Sequence, residues 1–259
     1  MDLSKRVEPS PSLTDQVYAL IHEAIMNGDL PAGARLRIRD LAERVGTSVM
    51  PVREAIRRLE EAGFVEREPH KGAVVKTLPL AELLHVYGVR RLLEVEAARM
   101  GSRRIDEAGI ATMRAEYDLM RRALAEGAVV AYLDHDEALL TALYEAAGNP
   151  VLVDTIRTLW QHCRAYKIVG ARASMEASGA GSTGSTGSDG SDDSLWRYQE
   201  RLVRAAREHD EDVAAAASTD SLLDATARIK DRLVAHREGA EGPKGAEGGE
   251  RAQGVTGSP

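Results

Sequence analysis

The sequence predicts a mainly α-helical protein with two parts: a small N-terminal domain that includes a β-hairpin, and a C-terminal antiparallel bundle of longer helices. Apolar residues recur at helical spacing through most of the 259 residues. Only 4% of residues are aromatic, and alanine and leucine supply much of the 43% apolar content, which favours helices over sheets. The length suits two modest domains.

Charge is distributed unevenly along the chain. The net charge is −7, but the segment from Ala34 to Lys76 holds ten Lys and Arg against seven Asp and Glu, a local +3 that leaves −10 for the remainder. This separation suits a small module that contacts nucleic acid, joined to an acidic domain that does not. No apolar run approaches the length of a membrane span, and no secretory signal precedes the first helix. Cys163 is the single cysteine, so we expect a cytoplasmic protein without membrane contact.

The N-terminal segments follow from capping and turn signals. Residues 1–12 are polar and predict a flexible arm. Ser12 opens the first helix, with Asp15 as its capping-box partner. A second, short helix is expected from about Arg39 to Val45.

A third helix opens at Ser48, whose side chain is expected to cap it, and Pro51 is tolerated in its first turn. Gly63 ends this helix. A hairpin with a basic tip follows, with strands at about residues 64–67 and 73–76. Two short helices joined by a tight turn and followed by a hairpin form a winged helix-turn-helix, in which the second helix enters the major groove.

Three sequence runs carry a family resemblance: GDLPAG at 28–33, LAERVG at 41–46 and PVREAI at 51–56. Together with the hairpin they resemble the winged helix-turn-helix of GntR-family transcriptional regulators, and we assign residues 13–78 to this domain. The resemblance implies sequence-specific contacts with double-stranded DNA. The expected contact residues are Arg39, Thr47, Ser48, Val49, Met50, Pro51, Arg53, Arg57, His70, Lys71 and Gly72.

Val49 departs from the family pattern, because many relatives have arginine at this position. Arginine can read guanine through two hydrogen bonds, whereas valine offers only apolar contact, such as with a thymine methyl group. We therefore expect an altered operator preference. Two interpretations stay open for Arg53, Arg57 and Arg58: contact with DNA, or intrahelical ion pairs and a solvated surface. Lys71 is expected to meet phosphate, which adds affinity without sequence information.

Beyond Leu78 the pattern changes to long amphipathic segments joined by short loops, which predicts the antiparallel bundle. The first of these helices is expected from about Leu80 to Met100, with Leu83, Val89 and Leu92 facing the core. Further helices are expected from about Asp106 to Glu126, Val129 to Ala147, Val151 to Ile168, Leu195 to Glu208 and Glu211 to Arg237.

Two segments have low complexity. Residues 173–194 are rich in Gly, Ser, Thr and Asp and predict a disordered insertion. A phosphate-binding glycine loop is the alternative, but no strand precedes the segment and no Gly-Lys-Ser/Thr ending occurs. Residues 238–259 predict a disordered tail, so the bundle domain is assigned to 79–237.

Residues 87–94 and 143–150 resemble the FCD domain of FadR-like GntR regulators, a helical effector-binding and dimerisation domain. Many such domains bind a divalent metal through an Asp, a His four residues later, and two further His from the last two helices. Carried over one by one, these positions are Asp136, Leu140, Gln199 and about Ser221. Leucine has no donor atom, and the remaining set is poor for metals that prefer imidazole. We therefore expect no metal and no cofactor, and a pocket formed by these four residues that binds its effector directly.

Arg90 and Arg91 belong to the first bundle helix and allow two interpretations. Either one binds an anionic group of the effector, oriented by Asp136 and Gln199, or one pairs with Asp136 or Glu94 as a structural bridge. The first interpretation makes the effector an organic anion.

The sequence thus predicts a homodimeric regulator, a repressor, that binds a pseudo-palindromic operator and changes its DNA affinity when a small molecule binds. One alternative is a constitutive DNA-binding protein with a closed pocket. A ligand carrier or enzyme is a remote alternative, because the chain lacks a nucleophile with a nearby base, a metal-ligand set and a nucleotide loop.

Overall fold

The computed structural model describes residues 11–179 and 196–240, with side chains over 11–176 and 196–231. The fold is mainly α, with a winged helix-turn-helix followed by a helical bundle, as predicted. The elements are α1 Leu13–Met26, α2 Ile38–Arg44, α3 Val49–Glu61, β1 Val65–Glu68, β2 Gly72–Val75, α4 Leu80–Arg104, α5 Glu107–Ala125, α6 Val129–Glu145, α7 Pro150–Gly179, α8 Arg197–Glu208 and α9 Glu211–Ala240.

The N-terminal domain packs α1, α2 and the β1–β2 hairpin around α3. Ser12 and Asp15 form the predicted capping box at the start of α1. Ser48 occupies the N-cap position of α3, but its side chain makes no capping hydrogen bond, so that expectation is wrong. Strands β1 and β2 pair antiparallel, and an isolated bridge, which was not predicted, joins Arg35 to Val74 of β2.

The bundle is organised around α4, which packs against α6, α7, α8 and α9, while α5 and α6 form a helical hairpin. Helices α4 and α6 pack backbone to backbone at Gly101. A Cβ atom at this position would lie 2.0 Å from the backbone oxygen of Leu143. Only glycine therefore allows the two helices to pack at this distance.

The buried face of α4 differs from the predicted one. Val89 and Leu92 are 45% and 70% exposed, whereas Tyr87, Arg90 and Glu94 are buried. The physical reason is that the Arg90 guanidinium and the Glu94 carboxylate pair with each other inside the bundle, which permits the polar face to turn inward.

Two segments that were predicted to be disordered are helical in part. Helix α7 continues to Gly179, so residues 173–179 are helical; this stretch still contains helix-forming Ala, Met and Glu before the glycine-rich run begins. Helix α9 likewise continues to Ala240. The remainder of both segments, and of the predicted arm up to residue 10, lies outside the described residues. Within the two described ranges, no helix is long and apolar enough to cross a membrane.

Candidate DNA interface and effector pocket

The turn between α2 and α3 places several of the expected DNA-contact residues at the start of α3. Gly46 has a φ of 67°, a left-handed conformation that glycine adopts without strain. Ser48 is exposed, and Met50 in the first turn of α3 is 69% exposed. Val49 is half-buried because its side chain packs against the domain core. Met50 therefore presents more apolar surface than Val49 at this end of the helix.

The arginines of this surface fall into two groups. Arg39 and Arg53 are exposed and make no ion pair or hydrogen bond with the described part of the chain. Arg57 is bound within α3 by Glu54 and Glu61, which is the intrahelical alternative left open by the sequence. Its guanidinium lowers the pKa of Glu54 through their hydrogen bond.

Arg58 belongs to the second group as well. It donates to Asp15 of α1 at 2.6 Å and lies over the Tyr18 ring. Its contacts therefore hold α3 against α1. Of these four arginines, Arg39 and Arg53 are thus the two without an ion pair to the described part of the chain.

The tip of the wing is a turn formed by residues 69–71 between β1 and β2. His70 has a φ of 65° and Gly72 a φ of 80°, so both residues turn through the left-handed region. Lys71 is exposed and pairs with Glu68 at 2.7 Å. Because this ion pair is exposed, Lys71 can leave Glu68 and pair with a DNA phosphate at little cost in free energy.

A second candidate site is a cavity of about 160 Å³ inside the bundle. It is lined by residues of α4, α6, α7, α8 and α9. Five of the six predicted pocket residues line it, namely Arg90, Asp136, Leu140, Gln199 and Ser221. Arg91 does not: its side chain is exposed and lies outside the cavity lining, so the expectation that it lines the pocket is not met.

One end of the cavity holds a buried ion pair. Arg90 donates from Nε to Glu94 at 2.7 Å, and Trp160 and Tyr144 also donate to the Glu94 carboxylate, at 2.9 and 3.4 Å. This arrangement matches the second interpretation of Arg90, in which it pairs with Glu94 as a structural bridge. The Arg90 guanidinium also stacks over the Tyr87 ring, and its Nη1 atom is buried without a hydrogen-bond partner.

The other end is organised around Asp136. Gln199 donates from Nε2 to Oδ1 of Asp136 at 2.7 Å, and the Lys167 ammonium lies 3.5 Å from Oδ2. The Gln199 oxygen is buried without a partner. Burial disfavours the charged form of Lys167, but Glu137 and Asp136 outweigh it and raise the pKa of the amine above its ordinary value. Lys167 therefore stays charged.

Lys167 was not among the predicted pocket residues, although its position in the sequence of α7 indicates a buried charge. On α7, Lys167 comes four residues after the buried Cys163 and four before the buried Ala171, so it interrupts an apolar stripe. A lysine at such a position is the natural partner for an aspartate inside the stripe of a neighbouring helix. The tyrosines of the cavity were missed as well. Burial raises the pKa values of Tyr87, Tyr132 and Tyr144, so their hydroxyls are neutral.

These residues do not suit a divalent metal. Both oxygens of Asp136 face hydrogen donors, from Gln199 and Lys167, and Leu140 has no donor atom. Across the described ranges, no group of three or more His, Cys, Asp or Glu residues is positioned to hold a metal ion. A cation beside Asp136 would meet the Lys167 ammonium at close range, which is electrostatically unfavourable.

Comparisons with known proteins agree for both parts of the chain. A family model described as "FCD domain" matches residues 85–224, and one described as "Bacterial regulatory proteins, gntR family" matches residues 13–75. The regulator McbR of Escherichia coli K12 is 27% identical over 149 residues, 58% of this chain and 67% of that protein.

A "probable D-xylose utilization operon transcriptional repressor" of Paenarthrobacter nicotinovorans is 34% identical over 102 residues, 39% of this chain and 45% of that protein. Among solved structures, E. coli McbR/YncC superposes with a TM-score of 0.69 at 21% identity, covering 86% of this chain and 99% of that one. At that identity the superposition supports the fold alone.

Proposed function

The chain belongs to the GntR family of bacterial transcriptional regulators and carries an FCD effector domain, and we propose that it is a homodimeric, cytoplasmic repressor that a small organic anion releases from its operator. In this proposal residues 13–78 bind DNA, and residues 79–237 bind the effector and dimerise. The name of the P. nicotinovorans relative supports repression as the mode of action.

The observation that carries the effector proposal is the polar lining of the bundle cavity. Lys167 supplies a cation that is only 12% exposed, and the Arg90 Nη1 atom supplies a donor without a partner. The Gln199 oxygen supplies an acceptor without a partner. Buried polar atoms left in this state are costly, so the cavity is suited to a ligand that carries both an anionic group and a hydrogen-bond donor.

Cavity size limits the effector further. At about 160 Å³ the cavity is smaller than the roughly 300–1,000 Å³ of pockets for drug-sized ligands. Small hydroxy or amino carboxylates meet both requirements, because they combine a carboxylate with a donor on a few carbon atoms.

Thermal-shift measurements against a panel of small carboxylates test this proposal. We expect one or more hydroxy or amino carboxylates to raise the melting temperature of the native protein. The variant Lys167→Met should lose the stabilisation, whereas Arg91→Met, which removes an exposed cation from outside the cavity, should keep it. If no carboxylate stabilises the protein, or if Lys167→Met responds as the native protein does, the anion proposal fails and a constitutive regulator gains support.

The homodimer rests on a separate argument. A single 13-residue recognition helix reads few base pairs, and two copies related by two-fold symmetry double the contacts on a pseudo-palindromic operator. Val89 and Leu92 expose apolar surface on α4, which a second copy would cover. Light scattering should give the mass of a dimer. The variant Leu92→Glu should shift the protein towards the monomer and weaken operator binding, whereas Arg91→Glu, one position away, should have a smaller effect.

A further inference from the structure

The two domains are joined by a buried arginine on α7. Arg164 is 4% exposed and donates from Nε to the backbone oxygen of Met26 at 3.1 Å. Met26 is the last residue of α1, where carbonyl groups lack intrahelical donors and carry the negative end of the helix dipole. The guanidinium therefore caps the C-terminal end of α1 from the other domain.

The same guanidinium is held from α6. Its Nη2 atom donates to Asp134, and its Nη1 atom lies 3.2 Å from Oε1 of Glu137. Arg164 is thus shared between the end of α1 in the DNA-binding domain and two carboxylates of the effector domain.

Glu137 has a second cationic partner. The Lys167 ammonium, which lines the cavity, donates to the same Oε1 atom of Glu137 at 3.0 Å. Burial opposes ionisation of Glu137, but Lys167 and Arg164 hold its pKa below the usual range. The cavity is therefore connected to the DNA-binding domain through three charged side chains: Lys167, Glu137 and Arg164.

Neighbouring residues of α7 pack against the same part of the DNA-binding domain. Ile168 approaches Gly28, which follows α1 and has a φ of 80°. His162 contacts the Phe64 ring, just before β1, with ring centroids 5.9 Å apart. Helix α7 thus contacts the turns that follow α1 and α3. A small displacement of α7 would therefore move both turns.

We infer that α7 is the coupling helix of this regulator, and that Arg164 is a positioning residue that relays occupancy of the cavity to the DNA-binding domain through Glu137 and Lys167. The inference rests on the proposed function, because it assigns a role to effector binding in that cavity. An anionic group in the cavity draws Lys167 away from Glu137. Glu137 then attracts Arg164 more strongly, the bond to the Met26 carbonyl weakens, and the DNA-binding domain loses its fixed orientation.

The relay can be tested in the full-length protein without an effector, by a double-mutant cycle. The DNA probe is a duplex selected from a random pool by the native protein. Lys167→Met removes the ammonium from the chain of charges and should weaken binding to this duplex about fivefold or more. In an Arg164→Lys background, which keeps the charge but loses the guanidinium geometry, the further effect of Lys167→Met should fall below about twofold.

The matched control is Arg157→Lys, on the same helix. Arg157 pairs with Glu145 and Asp154, and it is not among the residues that line the cavity. In this background the full effect of Lys167→Met should remain. Equal effects of Lys167→Met in the native and Arg164→Lys backgrounds, or no effect in the native protein, would overturn the relay.

Hydrogen exchange provides a readout that needs neither DNA nor effector. The amides of Gly28 and Leu30 are bonded to the carbonyls of Ile25 and Ala24 in the turn after α1. Lys167→Met should speed exchange at these amides, whereas Glu137→Gln, which removes the charge that competes with the Met26 carbonyl for Arg164, should slow it. Exchange in the α5–α6 hairpin should be unchanged in both variants. Unchanged exchange at the turn in both variants contradicts the relay, even if the effector proposal holds. Conversely, if no carboxylate stabilises the protein but the double-mutant cycle shows coupling between Lys167 and Arg164, only the effector proposal fails.

Discussion

Gln199 donates a 2.7 Å hydrogen bond from Nε2 to Oδ1 of Asp136. The bond joins α8 to α6 at one end of the bundle cavity. The bond fixes the orientation of the amide, because only the nitrogen can donate to a carboxylate. Its oxygen consequently remains as an acceptor for a ligand. The bond serves both the stability of the bundle and the chemistry of the cavity.

We predict that Gln199→Leu lowers the free energy of unfolding by about 1–3 kcal/mol, because it leaves one oxygen of the buried Asp136 without its donor. Urea denaturation followed by tryptophan fluorescence measures this change. Gln161→Leu, at an exposed position on α7, is the control and should change stability by less than about 0.5 kcal/mol. Equal stability of the two variants would mean that the bond contributes nothing.

The cavity should not bind a metal ion. Elemental analysis of the purified protein should find substoichiometric zinc, nickel and manganese, and neither EDTA nor added Zn²⁺ should shift the melting temperature. The double substitution Leu140→His with Gln199→His adds two imidazoles beside Asp136 and should create zinc-dependent stabilisation. Stoichiometric metal in the native protein would contradict this prediction.

Arg53→Ala should weaken operator binding by about 1–3 kcal/mol, or roughly 5- to 150-fold, because Arg53 is exposed and uncommitted on the recognition helix. Arg57→Ala should cost less, since Arg57 must first leave Glu54 and Glu61 before it can meet DNA. Fluorescence anisotropy at fixed salt concentration compares the two variants. If Arg57→Ala lost more operator affinity than Arg53→Ala, Arg57 and not Arg53 would be the main DNA contact of the two.

Gly101→Ala should destabilise the bundle by about 1–3 kcal/mol or more, because its Cβ would overlap the backbone of Leu143 at 2.0 Å. Gly88→Ala, in the same helix, is the control. A Cβ at Gly88 has no atom within 4 Å, so alanine there should stabilise α4 by about 0.5–1 kcal/mol. Thermal unfolding distinguishes these opposite signs, and destabilisation by both changes would contradict the packing argument.

Asp15 should make the DNA-binding domain sensitive to acid. The Ser12 hydroxyl and then Arg58 lower the pKa of Asp15 from 3.8 to about 2. Since the folded pKa is depressed, the stabilising contribution is fully present above the unfolded value and is lost as the pH falls through about 2. Urea midpoints measured from about pH 5 down to about pH 2 should therefore drop more steeply for the native protein than for Asp15→Asn. Identical slopes would exclude this role for Asp15.

The helices, the winged helix-turn-helix and five residues of the cavity lining could be predicted from the sequence. The helices and turns depend on local information, whereas the cavity positions relied on the resemblance to the FCD domain. The capping box at Ser12, the glycine that ends α3 and the spacing of Asp136 and Leu140 on α6 can all be read within a few residues. Ser48 is the exception, because its position as N-cap followed from the sequence while its missing hydrogen bond did not.

Which charged residues are buried depends on how the helices pack against one another. The apolar pattern of α4 favoured Val89 and Leu92 as core residues, yet Arg90 and Glu94 take that place. The buried Arg90–Glu94 pair lies within α4, but the Glu94 carboxylate needs further donors, which Trp160 of α7 and Tyr144 of α6 supply. Such partners are distant in sequence and leave no local pattern.

The same reason applies to Lys167 and Arg164 on α7. The partners of Lys167 lie on α6, and one partner of Arg164 is the backbone oxygen of Met26 in the other domain, 138 residues away. A backbone acceptor carries no side-chain identity that a sequence pattern could reveal. The helices could therefore be predicted one at a time, whereas the connection between the cavity and the DNA-binding domain exists only once they are packed together.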